Sequence, residues 1–332
     1  MEDVEYEYNY VICGAGGFYL VGYHDIMNHP QVRYFDSYGH GFKTRIQQIL
    51  LRLCFSKLIN KYIKTPFSSY IFPRLYPYKF DNSKPICFLF FRNHEQVYAT
   101  GYINYLRKMF PTCKTVLFLQ DIVRLKTNFT FELVRDKFDI ILSYDQKDAK
   151  DFNLLYHPTP MSYLDIPPLE NTTQSDLYFC GRAKNRYKEI VTIYKFCKEL
   201  GLKCDFNVMD LSDEGDQIEG INYPDHYFTY MENLQHVKNT RCILEIMQQG
   251  AEGFTPRLWE SIVYDCHLIS NNASLLDSAY KDLEGLHVYN GDLGSLNIKE
   301  WINTPISYPS SLKHSLSPLH LLKFIDQNII SK

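Results

Sequence analysis

Glu252 and Glu260 bracket the stretch EGFTPRLWE, with seven residues between the two carboxylates. Thr255 is a good helix cap and Pro256 belongs at a first helical position, so the stretch predicts a helix running through Asp265. Glu252 then lies in the loop ahead of the helix, and Glu260 about one turn inside it. The N–H groups of Arg257 and Leu258 are expected to point into the space between them. An anion on such a helix start, flanked by two acceptors for hydroxyl groups, suits a sugar joined to a ribose by a diphosphate. Glutamates eight apart are common by chance. Their coincidence with Gly253, the Thr-Pro step and a strand-like CHLIS gives the pattern its meaning.

FCGRAKNRYKEI (179–190) adds charge to the same picture. A strand should end at Gly181, and Arg182, Lys184 and Arg186 follow where a helix begins. Cations and free N–H groups at one point can hold a diphosphate without a metal. The bland alternative is a solvated basic turn. No Asp-x-Asp occurs in the chain; DLSDEGD (210–216) comes nearest and reads as a surface loop. The residues therefore predict no metal and no cofactor. CGAGGFYLVG (13–22) resembles a dinucleotide fingerprint but misses its glycine spacing. No acidic residue stands convincingly at the end of a second strand, although Asp36 is near. Gly16 and Gly17 are better read as a tight turn, or as contacts to a sugar or phosphate.

These residues need elements to carry them. Near-continuous apolar runs lie at 10–14, 86–91, 115–121 and 139–145, then at 176–181, 204–210, 242–246 and 266–272. Segments of helical period separate them, which is the pattern of parallel sheets covered on both faces. The fold class is α/β. HPTPMSYLDIPPLENTTQSD (157–176) is the best linker. It predicts a first domain at 1–160, a linker at 161–175, a second domain at 176–316, and a helix at 317–332 that packs back on the first domain. In open α/β sheets ligands sit beyond the carboxyl ends of the strands, and two such domains would share a cleft. On the first domain that rule selects Gly16, Gly17, His94 and Asp121.

Composition narrows the function classes. The chain has 332 residues, 45% hydrophobic and 22% charged, with a net charge of −3, which speaks against a general nucleic-acid binder. The 27 Tyr and 22 Phe suit sugar stacking as well as ordinary packing. Nine scattered cysteines without a CxxC pair read as buried thiols in a reducing compartment. The acidic start MEDVEYEYNY is no signal peptide, and no apolar run reaches ~18 residues. Together these place the chain in the cytoplasm.

The second half resembles the donor domain of GT-B glycosyltransferases, especially bacterial lipopolysaccharide, capsule and CgeB-like enzymes. The matching pieces are DLYFCGRAKNRYKEIVTIY and YMENLQHVKNTRCILEIMQQGAEGFTPRLWESIVYDCHLISNN. The likeness covers residues 176–272 well, and the first half in architecture alone. It implies two Rossmann-like domains facing each other across a cleft. It also implies transfer of a sugar from a nucleotide-diphospho-sugar to a glycan or lipid-linked acceptor in surface polysaccharide synthesis. By the same resemblance Glu252 faces the sugar and Glu260 the ribose, in a retaining, metal-independent reaction. Arg182, Lys184, Arg186 and Arg257 grip the diphosphate, with Gly181 and Thr255 beside them. Two departures stand out: Ser261 and Ile262 follow the second glutamate, and Asp265 stands where a glycine is frequent. An inverting, fucosyltransferase-like enzyme would instead need a base on the first domain. His94 is the candidate there, with Asp121 and His24 behind it. A nucleotide-sugar-binding protein without turnover and a dinucleotide oxidoreductase are the remaining alternatives.

One stretch stands apart from this chemistry. No acidic residue lies between Asp36 and Asp81, while Lys43, Arg45, Arg52, Lys57, Lys61, Lys64, Arg74 and Lys79 all do. Residues 46–63 can be helical, and an aromatic, proline-rich run follows. Residues 43–80 are therefore expected either to contact an anionic membrane surface or to form a core-facing helix and loop.

Overall fold

The computed structural model describes residues 4–14, 16–91, 95–124, 131, 134–167, 169, 172–211, 216–247 and 253–330. The side chains of Lys57 and Gln96 fall outside that description. The chain forms two compact units, Met1–Ser162 with Ser317–Lys332, and Tyr163–Leu316.

The first unit holds a six-stranded sheet. Its strands are β1 (Asn9–Cys13), β2 (Val32–Phe35), β3 (Ile86–Phe91), β4 (Lys114–Leu119), β5 (Ile140–Ser143) and β6 (Leu155–Tyr156), ordered β2-β1-β3-β4-β5-β6 and all parallel. Alternation of side chains gives the sheet two buried faces. Val11, Cys13, Phe88, Phe90, Leu117 and Leu119 pack on one side with Phe42, Cys54, Phe55, Ile71 and Phe72. Tyr10, Ile12, Cys87, Leu89, Phe91, Val116 and Phe118 pack on the other. The helix Pro318–Ile330 covers that second face with Leu321, Leu322, Ile325 and Ile329. Tyr10 fixes it by donating to Asp326 Oδ1 at 2.6 Å.

The second unit holds a five-stranded parallel sheet of β7 (Ser175–Arg182), β8 (Cys204–Met209), β9 (Thr240–Glu245), β10 (His267–Ser270) and β11 (Leu286–Val288). The order is β11-β10-β9-β7-β8. From β7 the chain steps one way to β8, then crosses back to β9 on the other side. That reversal makes the carboxyl ends of β7 and β9 the switch point where an open sheet offers a crevice.

The structure refines several expectations. β2, β6 and β11 carry no apolar run strong enough to mark them. Because β2 exists, Asp36 does stand at the end of a second strand, contrary to the reading of the CGAGG region. The 46–63 segment is two helices, Arg45–Phe55 and Lys57–Asn60, because Ser56 is extended and caps the second one. The helix after Thr255 spans Pro256–Val263 and stops short of Asp265, which takes the left-handed conformation at φ 56°.

Candidate functional site

β7 delivers Gly181 and Arg182 to the carboxyl edge of the second sheet, and a single 3-10 turn, Lys184–Arg186, leads into the helix Tyr187–Glu199. The turn swings the Arg186 side chain back over the sheet. Its Nε donates to the Arg182 carbonyl at 3.1 Å, and its Nη1 donates to the carbonyl of Ile246, just past β9. Arg186 thus bridges the crevice between β7 and β9. Arg257, on the first turn of the helix Pro256–Val263, comes in from the other side and donates Nη2 to the Cys180 carbonyl. Gly181 lies beneath both. A Cβ there would sit 2.9 Å from Arg186 Nη2 and 3.4 Å from Arg257 Nη2, so the residue leaves room for two guanidinium groups.

The charge of this pair is unbalanced. Among the described residues neither Arg186 nor Arg257 forms an ion pair; both donate to carbonyl oxygens. Burial, and then the neighbouring Arg257 charge, pull the Arg186 guanidinium down to about 10, with Glu245 and Glu189 pulling weakly the other way. Two half-buried like charges held by neutral dipoles favour any anion that can reach both. A diphosphate has the charge and the oxygen spacing for two guanidinium forks.

Glu260 sits on the same helix, one turn beyond Arg257, and is 3% exposed. Its Oε1 accepts from Tyr230 at 2.7 Å and from Asn233 at 3.2 Å, and Tyr178 in turn donates to Asn233 Oδ1 at 2.9 Å. Burial raises its pKa above the ordinary value, against the pull of Arg257, Tyr230 and Asn233.

The remaining predicted residues distribute unevenly. Arg182 turns to the rim, where its Nε lies 3.2 Å from Asp210 and its guanidinium rides 4.9 Å above the Tyr227 ring. Lys184 is exposed, with a left-handed φ of 44°. The hydroxyl of Thr255 accepts from the Arg257 N–H at 3.2 Å and donates to Glu245. The Leu258 N–H donates to the Thr255 carbonyl at 3.2 Å. The helix-start N–H groups expected to face an anion are therefore taken by their own cap. The positive potential comes from the arginines instead. Glu252 lies outside the described residues, and so does His94.

On the first unit, Gly16 and Gly17 follow β1 and Asp121 follows β4. A Cβ on Gly16 would meet the Asp36 carbonyl at 2.7 Å, and Gly17 has φ 63°, so both glycines are demanded by the backbone itself. Asp121 is exposed, and its charge adds to the burial that raises the Tyr19 phenol.

Two groups escape a reading of the sequence. Glu245, at the end of β9, is 1% exposed and accepts from the hydroxyls of Thr255 and Ser270. It ties the strand end to the start of the helix that carries Arg257 and Glu260. A lone glutamate in an apolar strand has no spacing signal that could reveal this. Asp36 at the end of β2 accepts from His40 Nε2 at 2.7 Å and from Ser37 at 3.0 Å. Burial opposes the ionised Asp36, and these bonds outweigh it, so its pKa is lowered.

No family model and no curated protein matches the sequence. Solved structures do resemble it. One, described as trehalose-6-phosphate from E. coli bound with UDP-2-fluoro glucose, aligns over 97% of this chain and 98% of its own, at 9% identity and a TM-score of 0.50. A UDP-forming α,α-trehalose-phosphate synthase from Burkholderia xenovorans covers 96% and 95%, at 10% identity and a TM-score of 0.48. The glycotransferase of kitacinnamycin covers 97% and 99%, at 8% identity and a TM-score of 0.47. At such identities the likeness concerns the fold alone: the chain is an α/β protein of two parallel-sheet units, the fold class of the GT-B glycosyltransferases.

Proposed function

We infer that the chain is a glycosyltransferase that takes a sugar from a nucleotide-diphospho-sugar and passes it to a glycan or lipid-linked acceptor. The observation that carries this reading is the pair Arg186 and Arg257, converging on Gly181 at the switch point between β7 and β9. As the glycosidic bond of the donor breaks, the leaving diphosphate takes the electron pair and its charge grows. Fixed guanidinium groups stabilise that growth because they need not reorganise. The acceptor oxygen forms the new bond to the sugar carbon, and its proton leaves with the diphosphate or with a base. Since the guanidinium pair supplies the positive charge, we read the reaction as metal-independent. UDP-2-fluoro glucose, named for the similar structure with a TM-score of 0.50, makes UDP-sugars the donors to try first. Retention, with Glu252 toward the sugar and Glu260 toward the ribose, and service in surface polysaccharide synthesis are finer parts of the same reading.

The exposed pair His40–Asp36 at the carboxyl end of β2 favours a second reading. A carboxylate-oriented imidazole there has the make-up of a base for an inverting transfer.

A screen of nucleotide-sugars for donor hydrolysis, with and without EDTA, tests the main reading. Turnover that survives EDTA and releases the nucleoside diphosphate supports it. Silence with every donor, together with no thermal shift by UDP, GDP or CMP, would leave the arginine pair without a diphosphate to bind. Glu260→Gln in titration calorimetry tests the ribose contact, since unchanged nucleotide affinity removes Glu260 from the site. Loss of activity in His40→Ala, with the anomeric product inverted in wild type, would select the second reading.

A further inference from the structure

The basic stretch of the first unit is built as a surface with nothing of this unit covering it. The helix Arg45–Phe55 turns Cys54 and Phe55 into the core, with Leu50 and Leu51 packed against it. On the helical period its opposite face carries Arg45, Ile46, Ile49 and Arg52, and all four are exposed. The short helix Lys57–Asn60 and the turn after it continue the pattern with Leu58, Lys61, Tyr62, Ile63, Lys64 and Phe67, again all exposed. Leu58 and Tyr62 are 73% and 79% open to solvent, and Ile46 is 71%. Single exposed apolar residues need no explanation, but six large ones between positions 46 and 67, interleaved with cations, do.

The cations are as unsatisfied as the apolar groups. Among the described residues Lys43, Arg45, Arg52, Lys61 and Lys64 make no ion pair, and no acidic residue lies between Asp36 and Asp81. A protein partner would need one patch that is both apolar and acidic. A bilayer with anionic headgroups offers both at once: negative charge at the surface, and hydrocarbon a few ångströms below. Tyr62 and Phe67 are side chains that settle at that boundary. No described helix is long and apolar enough to cross a membrane, so such a contact is peripheral.

We propose that residues 43–67 dock the chain on an anionic membrane surface, with Ile46, Ile49, Leu58, Tyr62, Ile63 and Phe67 entering the headgroup boundary. The proposal stands apart from the transfer reaction, because vesicle binding needs neither donor nor acceptor. The test is cosedimentation of the full chain with vesicles of phosphatidylcholine alone, or with one third phosphatidylglycerol. Binding should favour the anionic vesicles at least tenfold and weaken as salt screens the headgroups. Arg45→Gln, Arg52→Gln and Lys61→Gln should each weaken it about fivefold. The triple variant Leu58→Ser, Tyr62→Ser, Ile63→Ser should weaken it tenfold or more while its melting temperature stays that of wild type. Three results overturn the proposal: a wild-type chain that stays in the supernatant, equal binding to neutral vesicles, or binding that survives both sets of substitutions. A concentration-dependent dimer that the triple variant dissolves would also overturn it, by making the patch a contact between copies.

Discussion

Two clusters of charge, one in each unit, stand just past a strand end and differ in how the charge is met. In the first unit Arg124 reaches Asp145 and, at 2.8 Å, Asp148, whose carboxylates are 1% and 0% exposed. Burial alone would lower the arginine, yet its bonds to the two aspartates raise it. In the second unit Arg186 and Arg257 meet carbonyls and each other, and Arg186 is lowered. The first cluster's arginine meets carboxylates within the protein. The second makes no ion pair among the described residues, and the proposed diphosphate site rests on that difference.

The largest effect should come from breaking the ion-paired cluster. Asp148→Ala takes one carboxylate from Arg124 and the acceptor from the Val123 N–H. Removing one member of a buried ion pair costs ~3–5 kcal/mol. Urea unfolding should show that loss. A drop below ~1 kcal/mol would mean that Arg124 is not held as described.

Arg186→Ala should do the reverse. Turnover should fall by about 10²–10³, because a donor to the growing diphosphate charge is gone, while stability changes by less than ~1 kcal/mol. A half-buried cation beside another cation has little stabilising role to lose. If kcat stays within a factor of two and the protein is destabilised instead, the contrast between the clusters collapses.

These clusters also show what a sequence can reveal. Arg186, Arg257 and Glu260 can be suspected because each lies within a few residues of a strand end or of the Thr-Pro step. Glu245 cannot, since its partners Thr255 and Ser270 are 10 and 25 residues away. The same logic separates the strands. β1, β3, β4, β5, β7, β9 and β10 are interior and read as apolar runs. β2, β6 and β11 are sheet edges, only partly buried, and no such run marks them. Edge β8 is legible because three of its residues are buried nonetheless. The signal tracks burial on both faces, and it fades where one side is open.

Glu260 sharpens the comparison through pH. Its folded pKa lies above the ordinary 4.5. The native state therefore holds its proton to higher pH than the unfolded chain, so this group's contribution is full below about 4.5 and is lost as pH rises through the raised value. Glu260→Gln removes that loss. Unfolding free energies measured from pH 4 to pH 8 should show the variant gaining on wild type across that window, then running parallel to it. Wild type gaining on the variant as pH rises would reverse the sign and place the carboxylate in a setting that favours its charge.

The smallest effect is expected where a similar ion pair meets water. Lys313 and Asp265 lie 2.5 Å apart, but their side chains are 28% and 35% exposed. Solvent screening leaves such a pair worth ~0.5 kcal/mol. Asp265 has two further duties: its Oδ1 accepts from the Tyr308 N–H at 2.8 Å, and its backbone is left-handed. An asparagine in its place would keep both, because asparagine tolerates that conformation and retains the oxygen. Asp265→Asn should therefore cost ~0.5 kcal/mol. Asp265→Ala, which loses the acceptor and strains the backbone, should cost ~2 kcal/mol. Thermal unfolding of the two variants separates the contributions. An Asp265→Asn loss as large as the alanine loss would show that a half-exposed pair can stabilise as strongly as a buried one, and burial would no longer explain the gap between Asp148 and Asp265.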